Sequence, residues 1–210
     1  MLKGAPHPRT RRSRIAGFSM VEMAVSLTVL MILTAIAIPS LMRSFRTYQL
    51  NDAAARLSDM LKFTRFEAVR RNSLEYFKIN NPSGTGWVVW TTSSGSNTSP
   101  HVTEKQLLIT GIVTLLPAGG SPGPPSSSSI TAVLCLVASP CPVTTLMTLS
   151  GANSSVSFDA RGAVSPLAAD VFYLGSATNP EFGYRAVILL PSGATQIWTA
   201  PAGGTWQRLS

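Results

Sequence analysis

Charge is scarce in this chain. Asp, Glu, Lys and Arg make up 12% of its 210 residues, about half the usual share of a globular domain. That excludes a densely charged surface, and leaves either a neutral one or a segment that sits in lipid. Cysteine is nearly absent too. Cys135 and Cys141 are too few for a disulfide scaffold, and C-x5-C without histidine partners is no zinc pattern. In an oxidising compartment the two can close a small loop; in a reducing one they would be two buried thiols. Histidine is limited to His7 and His101, and His101 stands in a Ser/Asn-rich loop beside Pro100. There is no G-x-S-x-G elbow, no H-E-x-x-H, no P-loop and no G-x-G-x-x-G after a strand. The sequence therefore supplies no catalytic constellation, and implies no cofactor, metal or small-molecule substrate.

The net charge of +8 suggests a nucleic-acid partner until it is placed along the chain. Lys3, Arg9, Arg11, Arg12 and Arg14 all precede the first acid, Glu22. Beyond Ile79, Lys105, Arg161, Arg185 and Arg208 are balanced by Glu104, Asp159, Asp170 and Glu181. The C-terminal part is thus not broadly basic, and the excess belongs to a targeting segment.

The first fifty residues carry the strongest signal. Residues 1–17 are short, basic and free of acids, as a leader would be. Residues 18–42, FSMVEMAVSLTVLMILTAIAIPSLM, then run almost without charge. As a helix they would span about 37 Å, enough for a hydrocarbon core of about 30 Å. Bases in front and an apolar run behind place the leader on the cytoplasmic side and the remainder outside. The expectation is a single-pass anchor in a bacterial inner membrane with the C-terminal part periplasmic.

Glu22 is the exception within that run. An acid at the bilayer centre costs roughly 2.5–3.5 kcal/mol on insertion scales, so it needs a partner or a role. At the interface it would instead complement the helix N-terminus, worth about 0.3–1 kcal/mol. A cut between Gly17 and Phe18 would create a cation at the same depth, the new α-amine of Phe18. The run G-F-S-M-V-E resembles the leader junction of type IV pilins and type II secretion pseudopilins. The resemblance implies cleavage after Gly17 by a prepilin peptidase and N-methylation of Phe18. It also implies that Glu22 pairs with a neighbouring subunit's amine during assembly. Pro39 falls where many pilins loosen their helix; any proline there deletes the bond to the carbonyl of Ala35.

Two rival readings of the segment fit less well. Ala35-Ile36-Ala37 offers an ordinary signal-peptidase site, but it leaves Glu22 inside the apolar region and gives Gly17 no purpose. Arg11-Arg12 suggests a twin-arginine signal, but Arg14 stands where an apolar residue is expected.

From Arg43 the pattern becomes amphipathic. Leu50, Ala54, Leu57, Leu61, Thr64 and Ala68 recur at spacings of four and three and draw one stripe on a helix. Asp52, Arg56, Asp59, Lys62 and Arg70 lie off it. One helix is expected over 18–72, with 18–42 in the membrane and 43–73 its soluble continuation. Residues 74–210 form a β domain of short runs: 74–79, 86–92, 106–116, 130–137, 155–159, 170–174, 184–190 and 194–199. Pro191-Ser192-Gly193 joins the last two as a tight turn. Residues 117–129, PAGGSPGPPSSSS, are low in complexity and read as a mobile loop, with 91–100 a second one. The fold class is α+β: one long N-terminal helix packed by its stripe on an antiparallel sheet.

The resemblance continues beyond the anchor. TRFEAVRRN at 64–72, the Gly86-Trp87 strand and SVSFDARGAV at 155–164 are similar to minor pilins of the FimT/GspH type, while the middle of the chain resembles nothing familiar. It implies a non-enzymatic filament subunit whose partners are other pilin or pseudopilin subunits, the prepilin peptidase and the inner membrane. Some such pilins bind DNA through arginines on the last hairpin. Here that hairpin reads Pro191-Ser192-Gly193-Ala194-Thr195-Gln196, without arginine. The other basic cluster, Arg65, Arg70, Arg71 and Lys78, is interleaved with Glu67 and Glu75, as expected of a solvated face with ion pairs rather than a phosphate grip. DNA capture stands as the alternative function. Trp87, Trp90 and Trp198 are expected in the core by their alternation.

Overall fold

The structure is a computed structural model describing residues 18–82, 84, 86–111, 113–117, 123–125, 146–149, 154–176 and 178–209. Residues 1–17, the cysteines and the expected strand at 130–137 lie outside that set. The chain divides into two units, Met1–Met42 and Arg43–Ser210.

Helix α1 runs Met20–Arg71 and contains Pro39. In the first unit its side chains are exposed, Met20 by 91% and Ile36 by 71%. It is the one helix among the described residues long and apolar enough to cross a membrane. Its hydroxyls turn back on their own backbone. Ser26 donates to the Glu22 carbonyl at 2.7 Å, Thr28 to Ala24 at 2.8 Å and Thr34 to Leu30 at 2.9 Å. In lipid no water would satisfy them, so this is the arrangement a span requires.

In the second unit the stripe forms as the spacing predicts. Leu50, Ala54, Leu57, Leu61, Thr64 and Ala68 are all buried. They pack on two sheets rather than one. Strands β1 (Glu75–Asn80), β2 (Gly86–Thr92), β3 (Gln106–Thr110) and β6 (Ser154–Phe158) form the first, in the order β3-β2-β1-β6. Strands β4 (Thr114–Leu115), β7 (Ala169–Gly175), β8 (Tyr184–Leu189), β9 (Thr195–Ala200) and β10 (Gln207–Arg208) form the second, in the order β10-β9-β8-β7-β4. All these pairs are antiparallel; β5 (Leu146–Thr148) adds to β7 in parallel.

A common core joins helix and sheets. Leu50, Leu57 and Leu61 pack with Phe77, Ile79 and Val89 of the first sheet and Phe172, Leu174, Val187 and Leu189 of the second. Phe77 meets Phe172 edge-on, ring centroids 5.4 Å apart. The far face of the second sheet carries its own cluster, Ala169, Val171, Ala186, Ile188 and Trp198 under Trp206. With both faces covered, β7 and β8 are buried along their whole length and read as continuous apolar runs instead of alternating ones.

Two expectations about the middle need correction. The run at 106–116 is not one strand: Gly111, at φ 86°, ends β3, and β4 enters the other sheet. Trp87 ties the parts together, its indole N–H donating to Thr114 Oγ1 at 2.8 Å. Residues 91–100 are not a free loop either. Thr91 and Thr92 complete β2, and the chain after them folds back over the outer face of β1. Lys78 Nζ holds the Gly95 and Asn97 carbonyls at 2.6 and 2.7 Å, and Asn80 holds that of Thr98 at 2.8 Å. On the same outer face Trp90 is fully buried, opposite Lys78 and away from the helix.

Candidate assembly site

The expected functional residues sit at two places on α1. Phe18, 74% exposed, precedes the helix, whose first backbone bond shown runs from Met23 N to Ser19 O at 3.0 Å. Glu22 lies in the first turn, exposed, where a carboxylate complements the helix dipole. Nothing else in its turn is charged. Among the described residues before Arg43, Glu22 is the one charged side chain.

The basic cluster at the other end of α1 is already engaged. Glu67 Oε2 accepts from Arg70 Nη2 at 2.6 Å and Arg71 Nε at 3.0 Å. The Arg70 hydrogen bond holds the Glu67 carboxyl below its ordinary range, against the opposing effect of burial. Arg71 also approaches the buried Glu75 at 3.5 Å, and burial raises that carboxyl above its usual value. Lys78 is buried under the 93–105 cover, which lowers its pKa.

Arg65 makes a different contact. Its Nε donates to the Gly162 carbonyl at 3.0 Å. Gly162 closes the turn after β6, where Asp159 Oδ1 accepts from the amides of Arg161 and Ala163 at 2.9 and 2.8 Å. The tip of the β8–β9 hairpin rests on the same spot. Gly193 has φ 77°, and a Cβ there would lie 2.1 Å from the Gly162 oxygen. Helix, SVSFDARGAV turn and last hairpin therefore converge on Arg65, and the hairpin tip that would carry arginines for DNA is packed against the domain.

The domain's interior has two further charged groups that the sequence did not flag. Arg185 on β8 is buried, donates to Asn51 Oδ1 at 2.6 Å and to its neighbour's carbonyl, and has its pKa lowered by burial. Asp170 on β7 is buried and pushed up to about 6 by desolvation. His101 is exposed, with Nδ1 2.9 Å from Thr103 Oγ1. Among the described residues no group of acids, histidines or cysteines is placed to hold a metal ion.

Residues 53–193 match the family described as Type II transport protein GspH. The chain belongs to the GspH family. Residues 12–38 match the prokaryotic N-terminal methylation motif, which brackets Gly17, Phe18 and Glu22. Two crystal structures of the Pseudomonas aeruginosa type IV minor pilin FimU, in space groups P65 and P21, are similar to it. They share 17% and 16% identity, cover 73% and 74% of this chain and 99% and 96% of theirs, with TM-scores of 0.42 and 0.44. No curated protein sequence matches. The GspH match covers most of the second unit: the stripe from Ala54 onward, strands β1 to β8 and the Arg65 junction. The methylation motif covers the apolar start of α1 and points to membrane anchoring. This is a pilin-type structural family, and membership implies assembly with other pilin-type subunits.

Proposed function

We propose that this GspH-family chain is a minor pilin or pseudopilin, a non-enzymatic subunit of a type IV pilus or a type II secretion pseudopilus that aids filament assembly or protein secretion. The observation that carries the proposal is the split character of one helix. Its start, inside the methylation motif, is apolar, exposed and marked by a lone carboxylate; its end is the spine of a β domain.

In this reading a prepilin peptidase cuts between Gly17 and Phe18, and Phe18 is N-methylated. The apolar half stays in the inner membrane, with the β domain periplasmic, until neighbouring pilin helices replace lipid. Glu22 then takes the α-amine of an adjacent subunit. Such a pair gains strength in a low-dielectric helix bundle, and an unmatched carboxylate there is costly, so subunits out of register are rejected. Pro39 leaves the Ala35 carbonyl without its helical donor and gives the helix a place to yield during packing.

DNA capture would use the same anchor but needs free cations. Arg65, Arg70 and Arg71 are held by Gly162 and Glu67, which favours the structural role. The test is a Glu22→Ala variant expressed beside the partner pilins. Membrane levels should stay unchanged while the amount in sheared filaments falls at least tenfold. Normal incorporation of Glu22→Ala would contradict the proposal.

A further inference from the structure

Just past the apolar run, α1 carries Arg43, Phe45, Arg46 and Tyr48 within two turns. Phe45 and Tyr48 are 56% and 69% exposed, and Arg43 is exposed. Arg43 and Arg46 are three residues apart and so share a face, while the two aromatic rings lie on the other side. The other bases of the helix are differently employed: Arg56 pairs with Asp52 at 2.9 Å, Lys62 with Asp59 at 3.2 Å, and Arg70 and Arg71 with Glu67. Among the described residues neither Arg43 nor Arg46 forms an ion pair. Arg46 has a long contact to Gln49 Oε1 at 3.4 Å.

We propose that these four residues form a collar that binds the headgroup phosphate of an anionic phospholipid and fixes the depth of the anchor. The inference rests on the reading of residues 18–42 as a membrane span. Aromatic rings with an apolar body and a wet edge collect at the headgroup layer, and on the opposite face at the same depth two guanidinium groups that form no ion pair match phosphate in charge and bidentate geometry. The apolar run ends at Met42, so Arg43 meets the first polar layer outside it, which favours lipid phosphate over a soluble anion.

The test uses the full chain in neutral detergent micelles, titrated with phosphatidylglycerol and read by native mass spectrometry, with phosphatidylcholine as the reference lipid. Wild type should retain phosphatidylglycerol preferentially. Arg43→Gln and Arg46→Gln should each raise its half-saturation roughly fivefold, equal to about 1 kcal/mol per arginine. Arg56→Gln should leave it unchanged, and all variants should keep the unfolding temperature of the β domain. Inorganic phosphate in large excess should fail to displace the lipid. Equal retention by wild type and an Arg43→Gln/Arg46→Gln double variant would overturn the collar, and so would displacement by inorganic phosphate, which would show an anion site that is not a lipid site. Alkaline carbonate extraction from neutral vesicles separates the two readings: a chain that washes out is not anchored, whereas one that stays but shows no lipid preference has an anchor without a collar.

Discussion

The two halves of α1 use the same residue types for opposite ends. In the first half Ser26, Thr28 and Thr34 bond back to carbonyls of their own helix. In the second, Thr47 and Thr64 also bond back, to Arg43 and Met60, but Ser58 reaches across to Thr195 at 2.8 Å and Thr64 to Thr91 at 2.7 Å, one cross-contact for each sheet. Leucines divide likewise: Leu30 is 57% exposed and Leu57 fully buried. What differs is the surroundings. The second half meets its partners within the chain, whereas the first has only itself and must find lipid or other subunits. A hydroxyl contact that leaves the helix, and a leucine's exposure, thus report where the partner is.

The largest expected effect separates the halves directly. Leu57→Ala should destabilise the folded domain by roughly 2–5 kcal/mol and lower its Tm by on the order of 10 °C, while Leu30→Ala should stay within about 0.5 kcal/mol. Circular dichroism in detergent measures both. Equal effects would erase the distinction.

Asp170 gives the next largest, through pH. Its folded-state pKa, about 6, lies above the ordinary carboxyl value, so the folded form binds the proton more tightly. Stability from this group is complete below about pH 4 and is lost as pH rises towards 6, a change of roughly 2–3 kcal/mol. Asp170→Asn should flatten that stretch of the stability curve in urea titrations at successive pH values. An unchanged slope would mean that Asp170 is not desolvated.

A smaller effect sharpens the hydroxyl comparison. Thr64→Val should cost about 1–2 kcal/mol because Thr91 loses its buried partner, and the Thr64→Val/Thr91→Val pair should cost less than the sum. Thr34→Val should not move domain stability at all. The smallest is Glu67→Gln, which weakens the grip on Arg70 and Arg71; with both guanidinium groups half exposed the loss should be about 0.5–1 kcal/mol and shrink in high salt.

Much of this was legible in the sequence because it rests on short-range regularities. The stripe from Leu50 to Ala68 follows the helical period, and every residue of it is buried. The hairpins β1–β2 and β8–β9 are marked by Asn-Pro and Pro-Ser-Gly turns between apolar runs. The basic cluster was readable through its interleaved glutamates. What stayed hidden depends on distant pairing. The second sheet, the parallel β5 and the break at Gly111 are decided by which strands meet, and no local pattern encodes that. Residues 91–100 read as a mobile loop because Ser, Gly and Asn favour turns. Their carbonyls are captured by Lys78 and Asn80, whose role appears only once the sheet exists. Arg185 and Asp170 look like ordinary surface charges in sequence and become buried only because both faces of the second sheet are covered.

In the proposed reading α1 enters a pilin-type assembly through its own processed N-terminus. Mass spectrometry of the full chain, expressed with and without a prepilin peptidase, tests it most directly. The mature chain should begin at N-methylated Phe18 only when the peptidase is present. A chain that begins at Ile38, or one left uncut beside an active peptidase, would contradict it.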